Sequence, residues 1–152
     1  MNKVENILLR GQLNIVLTDK TGKVKESRYI PNLVVNTGLG YIASRMVGVA
    51  SNVMSHMGIG SGTSTALAAN TDLGNLLGSR QALDSTTISG ASNQNVVYVA
   101  TFAAGVATGA VTEAGIFNAS TSGTMLCRTV FSVVNKAADD SMVVTWTITL
   151  SA

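Results

Sequence analysis

Few side chains in this sequence can do acid–base, nucleophilic or metal chemistry, and they are scattered. The one histidine is His56 and the one cysteine is Cys127. A thiolate–imidazole pair needs a thiol whose pKa is lowered by a helix N-terminus or nearby cations. Cys127 instead stands in the alternating run Met125, Cys127, Thr129, Phe131, where it reads as a small buried hydrophobe, with Arg128 on the opposite face. His56 lies in a strand candidate, Val53 to Met57, with no second histidine; a zinc site there would need Cys127 and two carboxylates to converge on it. Asp139 and Asp140 are adjacent carboxylates of the kind that bind calcium, but between two strand patterns they read as a solvated hairpin tip. The run Gly58-Ile59-Gly60-Ser61-Gly62-Thr63 lacks the lysine of a phosphate loop and the helix of a dinucleotide fold, and reads as a strand-exit turn. The expectation is a non-enzymatic chain with no catalytic, cofactor-binding or metal residues.

Glu113 is different. It is the only acid between Asp84 and Asp139, set in Val111-Thr112-Glu113-Ala114-Gly115-Ile116-Phe117. A lone carboxylate in an apolar strand must find a partner, because unpaired burial is costly. Arg128 on the next strand is the natural partner and Arg80 the other candidate, so the expectation is a structural Glu113–Arg128 ion pair. As a general acid, Glu113 would have no second catalytic group to work with.

The elements that must position these residues are mostly strands. Residues 7–18 and 23–30 alternate around Asp19-Lys20-Thr21-Gly22, which predicts a β-hairpin, with Pro31 breaking the ladder beyond it. Leu39, Ile42, Ala43, Met46 and Val47 follow helical spacing, which predicts one amphipathic helix over about 38–48, capped by Asn36 or Thr37 and ended by Gly48. Further strands are expected at 52–57, 79–88, 96–104, 110–118, 125–134 and 142–150. In the last, Val144, Trp146, Ile148 and Leu150 share one face and Val143, Thr145, Thr147 and Thr149 the other. About eight strands with turns at short intervals predict a mainly β chain: an antiparallel sandwich or jelly-roll-like domain with one short helix. Tyr98, Phe102, Phe117, Phe131 and Trp146 are the expected core aromatics. The division expected is an extended arm over 1–12 and a single domain over 13–152, with the loops 60–71 and 88–95 as mobile or partner-contacting segments.

The 152 residues suit one domain. Charged residues are 12%, about half the usual share of roughly 25%. Half of them fall in the first 28 positions, and from Met46 to Asn135 only Asp72, Arg80, Asp84, Glu113 and Arg128 appear. So neutral a surface offers weak repulsion against self-association, which points to partner subunits covering it; a Thr/Ser-coated monomer is the competing reading. A net charge of +2, with Lys20, Lys23, Lys25 and Arg28 interleaved with Asp19 and Glu26, argues against nucleic acid. Glu5 and Arg10 interrupt the N-terminal apolar stretch, so no secretory signal is expected, and no run is suited to a membrane helix.

The order of segments carries a resemblance. Asn32-Leu33-Val34-Val35-Asn36-Thr37-Gly38 leads into the helix; Gly58 to Thr63 precedes Asn70-Thr71-Asp72-Leu73 and Arg80; then come Tyr98 to Phe102, Thr112 to Phe117, Gly123 to Phe131 and Val144 to Ile148. Over residues 10–150 this resembles small virion structural proteins of tailed bacteriophages, both tail-fibre-associated chains and capsid decoration (cement) proteins. The resemblance implies a β-rich assembly subunit made in the host cytoplasm and located in the virion. It brings no catalytic residues. With no fibre shaft in the sequence, decoration protein ranks first and tail-fibre or baseplate adaptor second; a carbohydrate-binding jelly roll is third. Decoration proteins bridge neighbouring capsomers, often as trimers, so the implied partners are the major capsid protein and further copies of this chain. The arm is the expected contact, through Asn2, Lys3, Val4, Glu5, Asn6, Ile7 and Arg10.

Overall fold

The computed structural model describes residues 6–49 and 51–152. Over the described residues the chain is mainly β with one helix: β1 (Leu8–Thr18), β2 (Val24–Val34), α1 (Asn36–Met46), β3 (His56–Gly60), β4 (Gln81–Ala82), β5 (Ser85–Ser89), β6 (Asn95–Phe102), β7 (Gly109–Phe117), β8 (Met125–Lys136) and β9 (Ser141–Ser151). The strands form one hydrogen-bonded sheet in the order β4-β3-β7-β8-β2-β1-β9-β6-β5, with every neighbour antiparallel.

The β1–β2 hairpin forms where the polar turn interrupts the alternation. Gly22 takes φ 85°, and the Asp19 carboxylate accepts from the N–H groups of Thr21 at 2.8 Å and Lys23 at 3.1 Å. Pro31 does not end β2. The strand continues with Pro31 opposite Gln12, then changes partner, so that Leu33 and Val34 pair with Arg128 and Cys127 of β8. A proline is tolerable at this changeover because the strand is leaving one ladder for another. Above the junction β2 and β8 splay, and the Arg28 guanidinium spans the gap by donating to the carbonyls of Ser132 and Val133.

That changeover lets the sheet curl around a main core, while Val35, Phe117 and Met125 form a second, smaller cluster. Cross-strand registers build the layers of the main core: Leu13 opposite Trp146 opposite Tyr98, Ile15 opposite Val144 opposite Ala100, and Leu17 opposite Met142 opposite Phe102. Met57, Ile59, Val111, Ala114 and Ile116 come from β3 and β7 into the main core. Trp146, Phe102 and Phe117 are fully buried, Tyr98 nearly so, and Phe131 packs half-buried at the margin.

The helix begins two residues earlier than its spacing predicts and turns a different face inward. Its N-cap position is Val35, with no side-chain cap; Thr37 Oγ1 donates instead to the Met125 carbonyl at 2.8 Å. Gly38 is the buried helix residue, lying against the backbone of Leu126. The expected core stripe consequently faces out: Met46 is 80% and Val47 77% exposed, and Leu39 and Ala43 are exposed too. Only Ile42 and the neighbouring Tyr41 reach the core margin. A Cβ at Gly38 would overlap the Leu126 carbonyl, whereas nothing lies within 4 Å of one at Gly40. Gly38→Ala should therefore cost about 1–3 kcal/mol through overpacking, while Gly40→Ala should stabilise by about 0.5–1 kcal/mol. Thermal melts of the two variants moving in the same direction would contradict this packing.

Part of the segment expected to be an arm is strand. Leu8 to Gln12 belong to β1 and pair with Ser151 to Thr147 of β9, so Arg10 is a sheet residue opposite Thr149. Asn6 and Ile7 are exposed. Asn2, Lys3, Val4 and Glu5 lie outside the described residues.

Candidate functional site

The charged residues of the sheet interior are consumed in holding loops. Glu113 on β7 and Arg128 on β8 are 0% and 2% exposed, and Arg128 donates to Glu113 Oε2 from Nη2 at 2.8 Å and from Nε at 3.1 Å. The carboxylate also accepts three backbone N–H groups from the loop beyond β3: Gly62 at 2.9 Å and Asn75 at 2.7 Å on Oε1, and Gly74 at 2.9 Å on Oε2. Arg128 uses its remaining donors on Asn70 Oδ1 at 2.9 Å, the Ser64 carbonyl at 3.1 Å and the Thr65 carbonyl at 3.5 Å. The loop expected over 60–71 as a mobile or partner-contacting segment, together with the residues that follow it to Asn75, is thus clasped to the sheet by one ion pair. Burial pushes the Glu113 carboxyl up, but the N–H groups of Asn75 and Gly74, the Arg128 guanidinium and the Gly62 N–H outweigh it and hold the pKa below its ordinary value.

The glycine run is part of this clasp. Gly58 and Gly60 lie in β3, not in a turn, with Gly60 opposite Glu113. A Cβ at Gly60 or Gly62 would collide with the Glu113 carboxylate. The alternation of glycines clears one strand face so that the carboxylate can reach backbone. Arg80 does not compete for Glu113: it donates to Asp72 at 3.1 Å and to the carbonyls of Ser122 and Ala119, with its guanidinium 3.4 Å from the Phe117 ring centroid.

The remaining candidates are held apart or occupied. Cys127 is fully buried, and burial pushes its thiol well above the ordinary value. His56 opens β3 opposite Phe117, its Nδ1 2.8 Å from Ser55 Oγ. Asp139 is exposed, but Asp140 is buried and does not sit at a solvated tip: its Oδ2 accepts from Lys25 Nζ at 2.6 Å and from the Ala137 N–H at 2.9 Å. Lys25 and Arg28, half of the basic hairpin cluster, are therefore engaged within the fold. Among the described residues, no group of three or more His, Cys, Asp or Glu is placed to hold a metal ion, and no helix is long and apolar enough to cross a membrane.

What the fold presents outward is a broad neutral face. On the side of β1, β9, β6 and β5 away from the core, the registers align Gln12, Thr147, Val97 and Thr87 in one row and Asn14, Thr145, Val99 and Ser85 in the next. Val16, Val143 and Thr101 form a third row; Arg10, Thr149, Asn95 and Ser89 form a fourth. Arg10 is the one charged residue in these four rows. At the border with β2, Tyr29 is 70% exposed beside a depression of about 580 Å³ lined by Arg10, Gln12, Pro31, Thr147 and Thr149. Sequence alternation indicates which residues of β9 point outward; the alignment of these rows needs the register.

Comparison with protein-family models, curated proteins and solved structures finds no match to this chain.

Proposed function

We propose that this chain is a virion structural protein of a tailed bacteriophage, most specifically a decoration protein that binds the head surface and bridges major capsid proteins. The observation that carries the reading is the neutral face: four rows of Thr, Ser, Val, Asn and Gln with one arginine, on a sheet whose other charges are spent internally. A surface with so little charge neither repels copies of itself nor steers toward nucleic acid. We read the curled sheet as a variant of the sandwich architecture, with its copies grouped around shared capsid axes, a trimer being the favoured arrangement. The tail-fibre or baseplate adaptor uses the same chemistry at lower copy number. A carbohydrate-binding role gains one specific support, since exposed Tyr29 beside Gln12, Arg10 and two threonine hydroxyls is the pairing of aromatic and polar groups that sugars favour. Glycan-array binding lost in Tyr29→Ala would move that role to first place.

The arm is tested by truncation. Because Leu8 onward is strand, the deletion that leaves the sheet intact removes residues 1–7. The truncated chain should keep its melting temperature and lose co-sedimentation with heads lacking the decoration protein. Undiminished co-sedimentation would remove the arm from the binding mechanism.

A further inference from the structure

The sheet has two edges, and they are treated differently. The β4 edge is two residues long, a length that blunts strand pairing. The β5 edge is five residues, Ser85-Thr86-Thr87-Ile88-Ser89, all exposed, with β6 as its one neighbour among the described residues. It carries no lysine, proline or other residue that natural edge strands use against association, and no charged residue occurs from Ser85 to Thr112.

The register fixes which groups are free. Leu150 N–H donates to the Gln94 carbonyl, so the even-numbered residues of β6 bond toward β9 and the odd-numbered ones toward β5. Ser85, Thr87 and Ser89 oppose Val99, Val97 and Asn95 and bond inward. The N–H and C=O groups of Thr86 and Ile88 therefore point out of the sheet.

We propose that β5 pairs antiparallel with β5 of a second copy about a twofold axis through Thr87. In that register Thr86 of each copy faces Ile88 of the other, and the four outward N–H and four outward C=O groups include two complementary narrow pairs. Thr87 meets its own counterpart in a non-hydrogen-bonded pair, where side chains approach most closely. Twofold pairing confronts like with like across the axis, so a charged edge would repel itself; this one has no charge to confront, and Asp84 falls opposite Gly90. Ile88, 66% exposed in the single chain, gains cover from the facing Thr86. Pairing two five-residue edges covers well below the roughly 1,600 Å² of a standard interface, so the dimer is weak and concentration-dependent in solution and is strengthened wherever copies are held side by side.

The inference does not rest on the virion reading, and its test uses the isolated full chain. In sedimentation velocity the average mass should rise with concentration from 15.6 kDa toward twice that value, and Thr87→Lys should hold it at 15.6 kDa. Under mild oxidation Thr87→Cys should form a covalent dimer about tenfold faster than Ser85→Cys or Ser89→Cys alone, while a mixture of those two should cross-link to each other. Cys127 is buried and does not compete. A wild-type mass that stays at 15.6 kDa at every concentration overturns the proposal. So does Thr87→Cys cross-linking no faster than Ser85→Cys.

Discussion

Glu113→Gln is expected to lower the unfolding free energy by about 3–5 kcal/mol, because it leaves the Arg128 guanidinium buried without its counter-charge. The amide also presents N–H groups where Glu113 now accepts from Gly62, Gly74, Asn75 and Arg128. The loss should be read in a denaturant melt at neutral pH. Adding Arg128→Met should cost less than the sum of the single changes, since the stranded cation is removed with its partner. Acid supplies an independent check. The folded pKa of Glu113 lies below its ordinary value of 4.5, so on acidification the unfolded chain takes up the proton first. The stabilisation is complete above that value and is lost as pH falls through the folded pKa. Asp140 is lowered too, chiefly by its hydrogen bond from Lys25, and acts in the same direction. Glu113→Gln should therefore flatten, but not abolish, the fall in stability below pH 4.5. An unchanged acid limb would mean that the clasp contributes nothing to pH dependence.

Trp146→Ala should cost about 3–5 kcal/mol by opening a cavity between the Leu13 and Tyr98 strands. Trp146 is fully buried and its registers place Leu13 on one side and Tyr98 on the other. Its Nε1–H has no hydrogen-bond partner among the described residues. Trp146→Phe, which removes that N–H and a modest volume, should cost only about 1–2 kcal/mol. Circular dichroism in denaturant reads both variants, the tryptophan fluorescence being lost. A Trp146→Ala loss below about 1 kcal/mol would place the indole outside the cooperative core.

Period-two alternation made the long strands legible because each has one face on the core and one outward, and β9 alternates along its whole length. Alternation also carried the Glu113–Arg128 argument, since a lone acid and the arginine of the adjacent strand have few other partners. It could not show that the carboxylate gathers three backbone N–H groups from a distant loop. The signal was present in Gly60, Gly62 and Gly74, yet a glycine cleared for a neighbour's side chain looks the same in sequence as one needed for a turn. The helix misled for a related reason. Its apolar stripe is regular, but close approach to β8 is possible only at Gly38, and that contact sets which face turns inward. Pro31 stopped the expected strand because proline cannot donate to a ladder, while β2 uses that position to exchange one ladder for another. The outward rows of Thr, Val and Asn depend on register across four strands, which no single segment encodes.

The proposed virion role is decided by quantitative mass spectrometry of phage particles purified from a host culture that makes this chain. Copies are expected in numbers comparable with the major capsid protein, released together with the head shell. A handful of copies per particle would assign the chain to the tail or baseplate, and its absence from purified particles would contradict the structural role altogether.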